Sequence, residues 1–214
     1  MATTAFTEFL PEVLPSVPAC AEPLAVNAVR NAAIEFCSNT LFWQETQADT
    51  AITVAVTPSA PLTLSAPTGA RIIQIMAVTI DGLPLSPISI DMLDDGVYNW
   101  RGRTGKPSAF YQPNPDQLVF VLPPDASYTA TLRVAYSPTR VADGVDERIY
   151  QNYLEAVSFG AVARLAAIPG QAFSNPEVAS YARAMFNNAM TDATIEANKS
   201  YTRGSPQIQM RVVR

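Results

Sequence analysis

AEPLAVNAVRNAAIEFCSNTLF, residues 21–42, is the stretch on which the fold turns. Leu24, Ala28, Val29, Ala32, Ala33, Phe36 and Cys37 recur at three- and four-residue intervals. That spacing predicts an α-helix with one apolar stripe. Pro23 falls in the first turn, where its missing N–H costs nothing. Arg30, Asn31, Glu35 and Ser38 lie largely outside the stripe. Upstream, Phe6, Phe9 and Leu10 predict a short helix that Pro11 or Pro15 must end, because proline lacks a donor and its ring clashes with the preceding turn. Downstream, Phe42 and Trp43 anchor the exit, and helical character is expected to about Gln47. A single amphipathic helix cannot bury its own stripe, so partners must come from elsewhere in the chain.

They come from the C-terminal third. Asp146 is placed to cap a helix over 147–168, with Ile149, Tyr153, Val157, Ala161, Leu165 and Ile168 on its buried face and Pro169-Gly170 as its stop. A second helix runs from the SNPE sequence at 174–177 to about Lys199, through Val178, Tyr181, Ala182, Met185, Ala189 and Ala193. Two caps fit its start: Ser174 with Glu177 as a capping box, or Asn175 with Pro176 in the first helical position. Beyond Tyr201 the helical pattern fails. Ile208, Met210 and Val212 alternate at period two, as in an extended segment.

Between the helical parts the chain changes character. Most of its 18 prolines fall between Thr50 and Arg140. Strand-like runs appear at 51–56, 71–80, 118–122 and 128–136, and Asp81-Gly82 between apolar runs is a hairpin signal, since a tight turn needs positive φ. Residues 93–107 form a long loop punctuated by Asp95-Gly96 and Gly105, carrying Tyr98, Trp100, Arg101, Arg103 and Lys106. Together these predict a mostly antiparallel β module of about five to seven short strands. The expected architecture is α+β: a small helical bundle over 1–48 and 143–200, an antiparallel β module inserted at 49–142, and an extended C-terminal arm at 201–214.

Composition bounds the role. Apolar residues make up 48% of the chain and charged residues 15%, below the ~25% usual for soluble domains. Such a surface fits a protein partly covered by other chains. Net charge is −5, yet Lys199, Arg203, Arg211 and Arg214 give residues 199–214 a charge of +4 with no acid, leaving −9 on the rest. An acidic body does not dock broadly on phosphates. Neither a signal peptide nor an apolar run approaching the ~20 residues of a membrane span is read from the chain. Cys20 and Cys37 are expected as free thiols in a reducing compartment.

Catalytic motifs are missing. Without histidine there is no Ser-His-Asp or Cys-His nucleophile system and no histidine-based zinc site. Two cysteines make no metal cluster, and nine scattered glycines make no phosphate cradle. Asp91, Asp94 and Asp95, or Asp143, Asp146 and Glu147, hold the carboxylates that glycoside hydrolysis or a divalent cation would need. Turn formation and helix N-terminal charge explain the same residues with nothing added. No enzyme, cofactor or metal site is therefore expected. The aromatic-basic loop suits a stacked nucleic-acid strand or sugar, and equally a protein interface, where Trp, Tyr and Arg serve as anchors; the interface is favoured.

Several stretches resemble phage head-to-tail adaptor proteins, including the tail-tubular-protein-A type of short-tailed phages. PLAVNAVRNAAIEFCSNTLFWQE (23–45) is similar to the family's first long helix, Ala-rich and ending in Glu-Phe-Cys before a tryptophan. Ile80-Asp81-Gly82-Leu83, PSAFY (107–111) and VLPPDASY (121–128) resemble its β insert, and YQNYLEAVSFGAVAR (150–164) its return helix. The likeness covers most of residues 6–200. It implies a virion protein of the head-tail junction, assembled in the host cytoplasm as a ring of about twelve copies with closed symmetry. It also implies contacts with the portal above and a tail or nozzle protein below, with DNA passing through the channel unread. The arm residues Arg203, Ile208, Met210, Arg211, Val212 and Arg214 are then the expected portal contacts, and the stretch 202–214 spans up to ~45 Å when extended. Tyr98, Trp100, Arg101 and Arg103 are the expected tail or neighbour contacts. The alternative is a glycan- or nucleic-acid-binding virion module that uses the 93–107 loop.

Overall fold

The structure, a computed structural model, describes residues 3–52, 61–96 and 103–199. In chain order its first elements are β1 (Thr3–Ala5), α1 (Leu10–Val13), α2 (Glu22–Thr40), β2 (Gln44–Ile52) and β3 (Leu62–Thr63). Then follow β4 (Ala70–Ile80), β5 (Leu83–Pro84), β6 (Ser86–Pro87), α3 (Ile90–Gly96), β7 (Ala109–Asn114) and β8 (Gln117–Val121). The last are β9 (Tyr128–Pro138), β10 (Gly144–Asp146), α4 (Glu147–Ala166) and α5 (Pro176–Lys199). The fold is α+β. Contacts divide it into a helical unit, Met1–Phe42 with Val145–Arg214, and a β unit, Trp43–Gly144.

In the helical unit the N-terminal segment is a chain of single turns, with 3-10 turns at Phe6–Phe9 and Leu14–Ser16 on either side of α1. Pro11 and Pro15 each sit in a first turn, where they start a helix but bar its extension from upstream. Phe6, Phe9, Val13 and Val17 are fully buried. Helix α2 buries Ala25, Ala28, Val29, Ala32, Ala33, Phe36 and Cys37, while Leu24, expected on the stripe, is 38% exposed. Thr40 Oγ1 donates to Phe36 O at 2.8 Å and accepts from Phe42 N. Leu41 adopts the left-handed conformation (φ 52°) and its N–H closes on Cys37 O. That cap stops the helix two residues earlier than its apolar pattern suggests.

Helix α4 starts on Asp146, whose carboxylate accepts from Arg148 N at 2.9 Å and is also gripped by the Arg148 guanidinium. Tyr153 has non-helical angles (φ −135°, ψ 25°) and kinks α4. Helix α5 resolves the two possible caps in favour of Asn175, whose Oδ1 accepts from Glu177 N and Val178 N at 3.1 and 3.2 Å. Its buried contacts are Ala182, Phe186 and Ala193; Tyr181, expected inside, is 60% exposed. The three long helices meet at Gly160. A Cβ there would lie 2.9 Å from Ala32 Cβ and 3.0 Å from Phe186 Cε2, so only glycine lets α2 and α5 approach α4 this closely. Around this point Phe36, Phe42, Tyr153 and Phe186 form an aromatic cluster, with ring centroids 4.9 Å apart for Phe42–Tyr153 and 5.0 Å for Phe36–Tyr153. The Tyr153 hydroxyl donates to Glu196.

The β unit holds two four-stranded sheets, ordered β2-β9-β4-β5 and β3-β8-β7-β6, antiparallel apart from the β6–β7 pair. Strand β4 pairs along nearly its whole length with β9, from Ala70↔Pro138 to Ile80↔Ala130. Ile72, Ile75, Val78, Ile80, Leu132 and Val134 are buried there, as are Leu118 and Phe120 on β8. At the register shift near Ile75, the Ile75 N–H donates to Gln112 Oε1 on β7 at 3.2 Å. The Asp81-Gly82 turn has positive φ at both residues, 50° and 77°, the signature of a type I′ hairpin.

Two expectations about element bounds also fail. Helical character was expected to Gln47, yet β2 begins at Gln44 and runs antiparallel to β9. The polar QETQ run carries no apolar period, and backbone pairing with β9 decides its conformation. Residues 93–96, expected in the loop, close helix α3 instead, because Leu93 is buried against Val121 and Ser89 Oγ accepts from Met92 N.

Candidate functional site

Of the expected contact residues, Tyr98, Trp100, Arg101, Arg203, Ile208, Met210, Arg211, Val212 and Arg214 lie outside the described residues. Arg103 is described and exposed. Three residues on, Lys106 Nζ pairs with Asp81 Oδ2 at 2.7 Å and stands 5.6 Å from the Tyr128 ring centre. The Tyr128 hydroxyl donates to Asp125 at 2.6 Å, and Gly105 N donates to Pro123 O. The end of the loop is thus pinned to the hairpin turn by a polar cluster that satisfies itself.

The acidic groups form no reaction centre. Asp91, Asp94 and Asp95 are all exposed along α3. Asp146 is spent on the α4 cap and Arg148, while Asp143 and Glu147 are exposed. Among the described residues no group of three or more His, Cys, Asp or Glu is placed to hold a metal, and no helix is long and apolar enough to cross a membrane. Both cysteines are free: Cys20 is half-buried and Cys37 is buried. Burial, with the nearby Asp146 charge, pushes the Cys37 thiol far above its ordinary value, so it is no nucleophile.

Concave surfaces of the helical unit include two that carry charged edges. The first, an open groove of about 550 Å³, is floored by Ala163, Ala167 and Ala179 and edged by Glu35, Arg164 and Arg183. Arg183 grips Glu35 with two nitrogens, Nη2–Oε1 at 2.6 Å and Nη1–Oε2 at 3.1 Å, while Arg164 Nη2 donates to the same Oε2. Burial alone would raise the Glu35 pKa, but the hydrogen bonds and charges of Arg183 and Arg164 outweigh it and hold the carboxyl below its ordinary range. Two guanidiniums against one carboxylate leave this edge with a surplus positive charge. The second groove, about 290 Å³, is lined by Glu12, Ser16, Glu155, Ser158, Phe159 and Val162. No pattern along the chain announces either groove. Glu35, Arg164 and Arg183 sit on three helices, and Glu12 and Glu155 are far apart in sequence.

No curated protein matches the chain. Residues 4–210 match the SU10 adaptor protein family. With nearly its whole length matched, the chain belongs to the SU10 adaptor protein family and is a structural phage adaptor of the head-tail junction.

Proposed function

We propose that the chain forms a ring of about twelve copies with closed symmetry, seated between portal and tail around the DNA channel in the manner of the tail-tubular-protein-A adaptors. The observation that carries this is the charge division. After α5 ends at Lys199, the remaining chain holds Arg203, Arg211 and Arg214 and no acid, whereas the preceding body is acidic. Ile208, Met210 and Val212 alternate within that basic stretch, which suits insertion along a groove of the portal or addition of a strand to its sheet. Arginines then pair with acidic groups at the groove's rim. The acidic body, repeated around the axis, repels phosphates and lets DNA slide. Tyr98, Trp100, Arg101 and Arg103 make the contacts to the tail protein or the neighbouring copy.

The test is deletion of residues 204–214. The truncated chain is expected to keep its melting temperature and to lose assembly onto portal-containing heads. Normal tail attachment by the truncated chain would refute the role given to the arm.

A further inference from the structure

The Glu12–Glu155 groove and the Arg164–Arg183 groove differ in sign and lie on different flanks of α4. The acidic groove takes Glu155, Ser158, Phe159 and Val162 from α4, and the Arg-edged groove takes Ala163, Arg164 and the C-cap residue Ala167. At 100° per residue these two sets are centred roughly 135° apart around the helix. A ring built by rotation needs such a pair, because each copy must present two different, mutually complementary patches.

The acidic groove is also incomplete. Ser158 is 5% exposed, lines the groove, and its Oγ finds no hydrogen-bond partner among the described residues. A buried hydroxyl left without a partner is uncommon and calls for an explanation. Glu12 and Glu155 are exposed beside it and make no ion pair among the described residues. Phe159 forms the apolar wall, and the 60% exposed Tyr181 stands edge-on against it at 6.2 Å. Two exposed carboxylates beside the Phe159 ring form a receptor for a guanidinium. On the other groove, Arg164 commits only Nη2 to Glu35 among the described residues, and its side chain is 40% exposed.

We infer that the Glu12–Glu155–Ser158 groove of one copy receives the Arg164–Arg183 edge of the next copy, making the contact between neighbours head-to-tail. This rests on the ring proposed above. The charges match in sign, and the alanine floor beside the arginines lets a neighbour's backbone come close.

Cysteine pairs in the full-length chain test it, on a Cys20→Ser background with Cys37 left buried. Glu155→Cys and Ala167→Cys occupy the two faces, and both positions are exposed. The double variant, oxidised in the assembled particle and in solution, is expected to give a ladder of disulfide-linked species. Each single variant is expected to give none, and an equal mixture of the singles should stop at dimers. A dimer from Glu155→Cys alone would mean a two-fold contact and overturn the inference. So would a ladder from Glu155→Cys with Ser205→Cys but not with Ala167→Cys, which would hand the groove to the C-terminal segment. Assembly that persists without any ladder overturns the inference and spares the ring. A chain monomeric by light scattering and in the particle overturns both.

Discussion

Gly160 and Glu35 are the residues on which the helical unit turns. Gly160 has no room for a methyl group, with Ala32 Cβ and the Phe186 ring both at 3.0 Å or less from where it would sit. Gly160→Ala should therefore destabilise by about 1–3 kcal/mol through overpacking, against a small gain from helix propensity; urea unfolding measures it. Glu35 is ionised more readily folded than unfolded because Arg183 and Arg164 hold its charge. Its folded pKa is depressed, so its contribution is fully present above the unfolded carboxylate value and is lost as pH falls through the folded one. Glu35→Gln should lower stability at pH 7 and change it little near pH 2, so the parent–variant difference shrinks on acidification. A difference that does not change with pH would mean the ion cluster is idle.

At the level of elements, caps rather than propensity set the helix ends. Asn175 offers one carboxamide oxygen to two orphan N–H groups of α5. Asn175→Ala should cost ~1 kcal/mol, whereas Ser174→Ala, at the alternative cap position, should cost far less; thermal melts of the two variants separate the possibilities. Both long C-terminal helices announce their starts in sequence, because an Asp or Asn cap is a local device read over three residues. The end of α2 does not. It depends on Leu41 entering the left-handed region, which leucine adopts only under duress, and on β2 being claimed by β9 immediately afterwards.

For the whole molecule, the β unit has a contiguous chain and its own buried core of Ile72, Val78, Ile80, Leu118, Phe120, Leu132 and Val134. A fragment of residues 43–144 is expected to fold alone, with a β-type circular dichroism spectrum and a cooperative melt. The buried Trp43, whose ring lies 5.8 Å from Tyr136, supplies a fluorescence probe. An unfolded fragment would show that the β unit draws its stability from the helices. The helical unit cannot be tested the same way, since its two stretches are separated by the whole β unit.

Sequence by itself determined what depends on neighbours along the chain. The helix stripes, the Asp146 cap, the Asp81-Gly82 turn and the α+β class follow from residue spacing, because periods of 3.6 and 2 are local properties. The absence of histidine removed Ser-His-Asp and Cys-His catalysis and histidine-based zinc sites before any fold was considered. Tertiary structure alone decided which charges meet. Glu35 lies outside its helix's apolar stripe and looks like any solvated glutamate until α4 and α5 bring Arg164 and Arg183 to it. Glu12 and Glu155 become one surface only when α1 packs beside α4. Electrostatic partners depend on distance in space, falling off as charges separate, and no one-dimensional pattern encodes that distance.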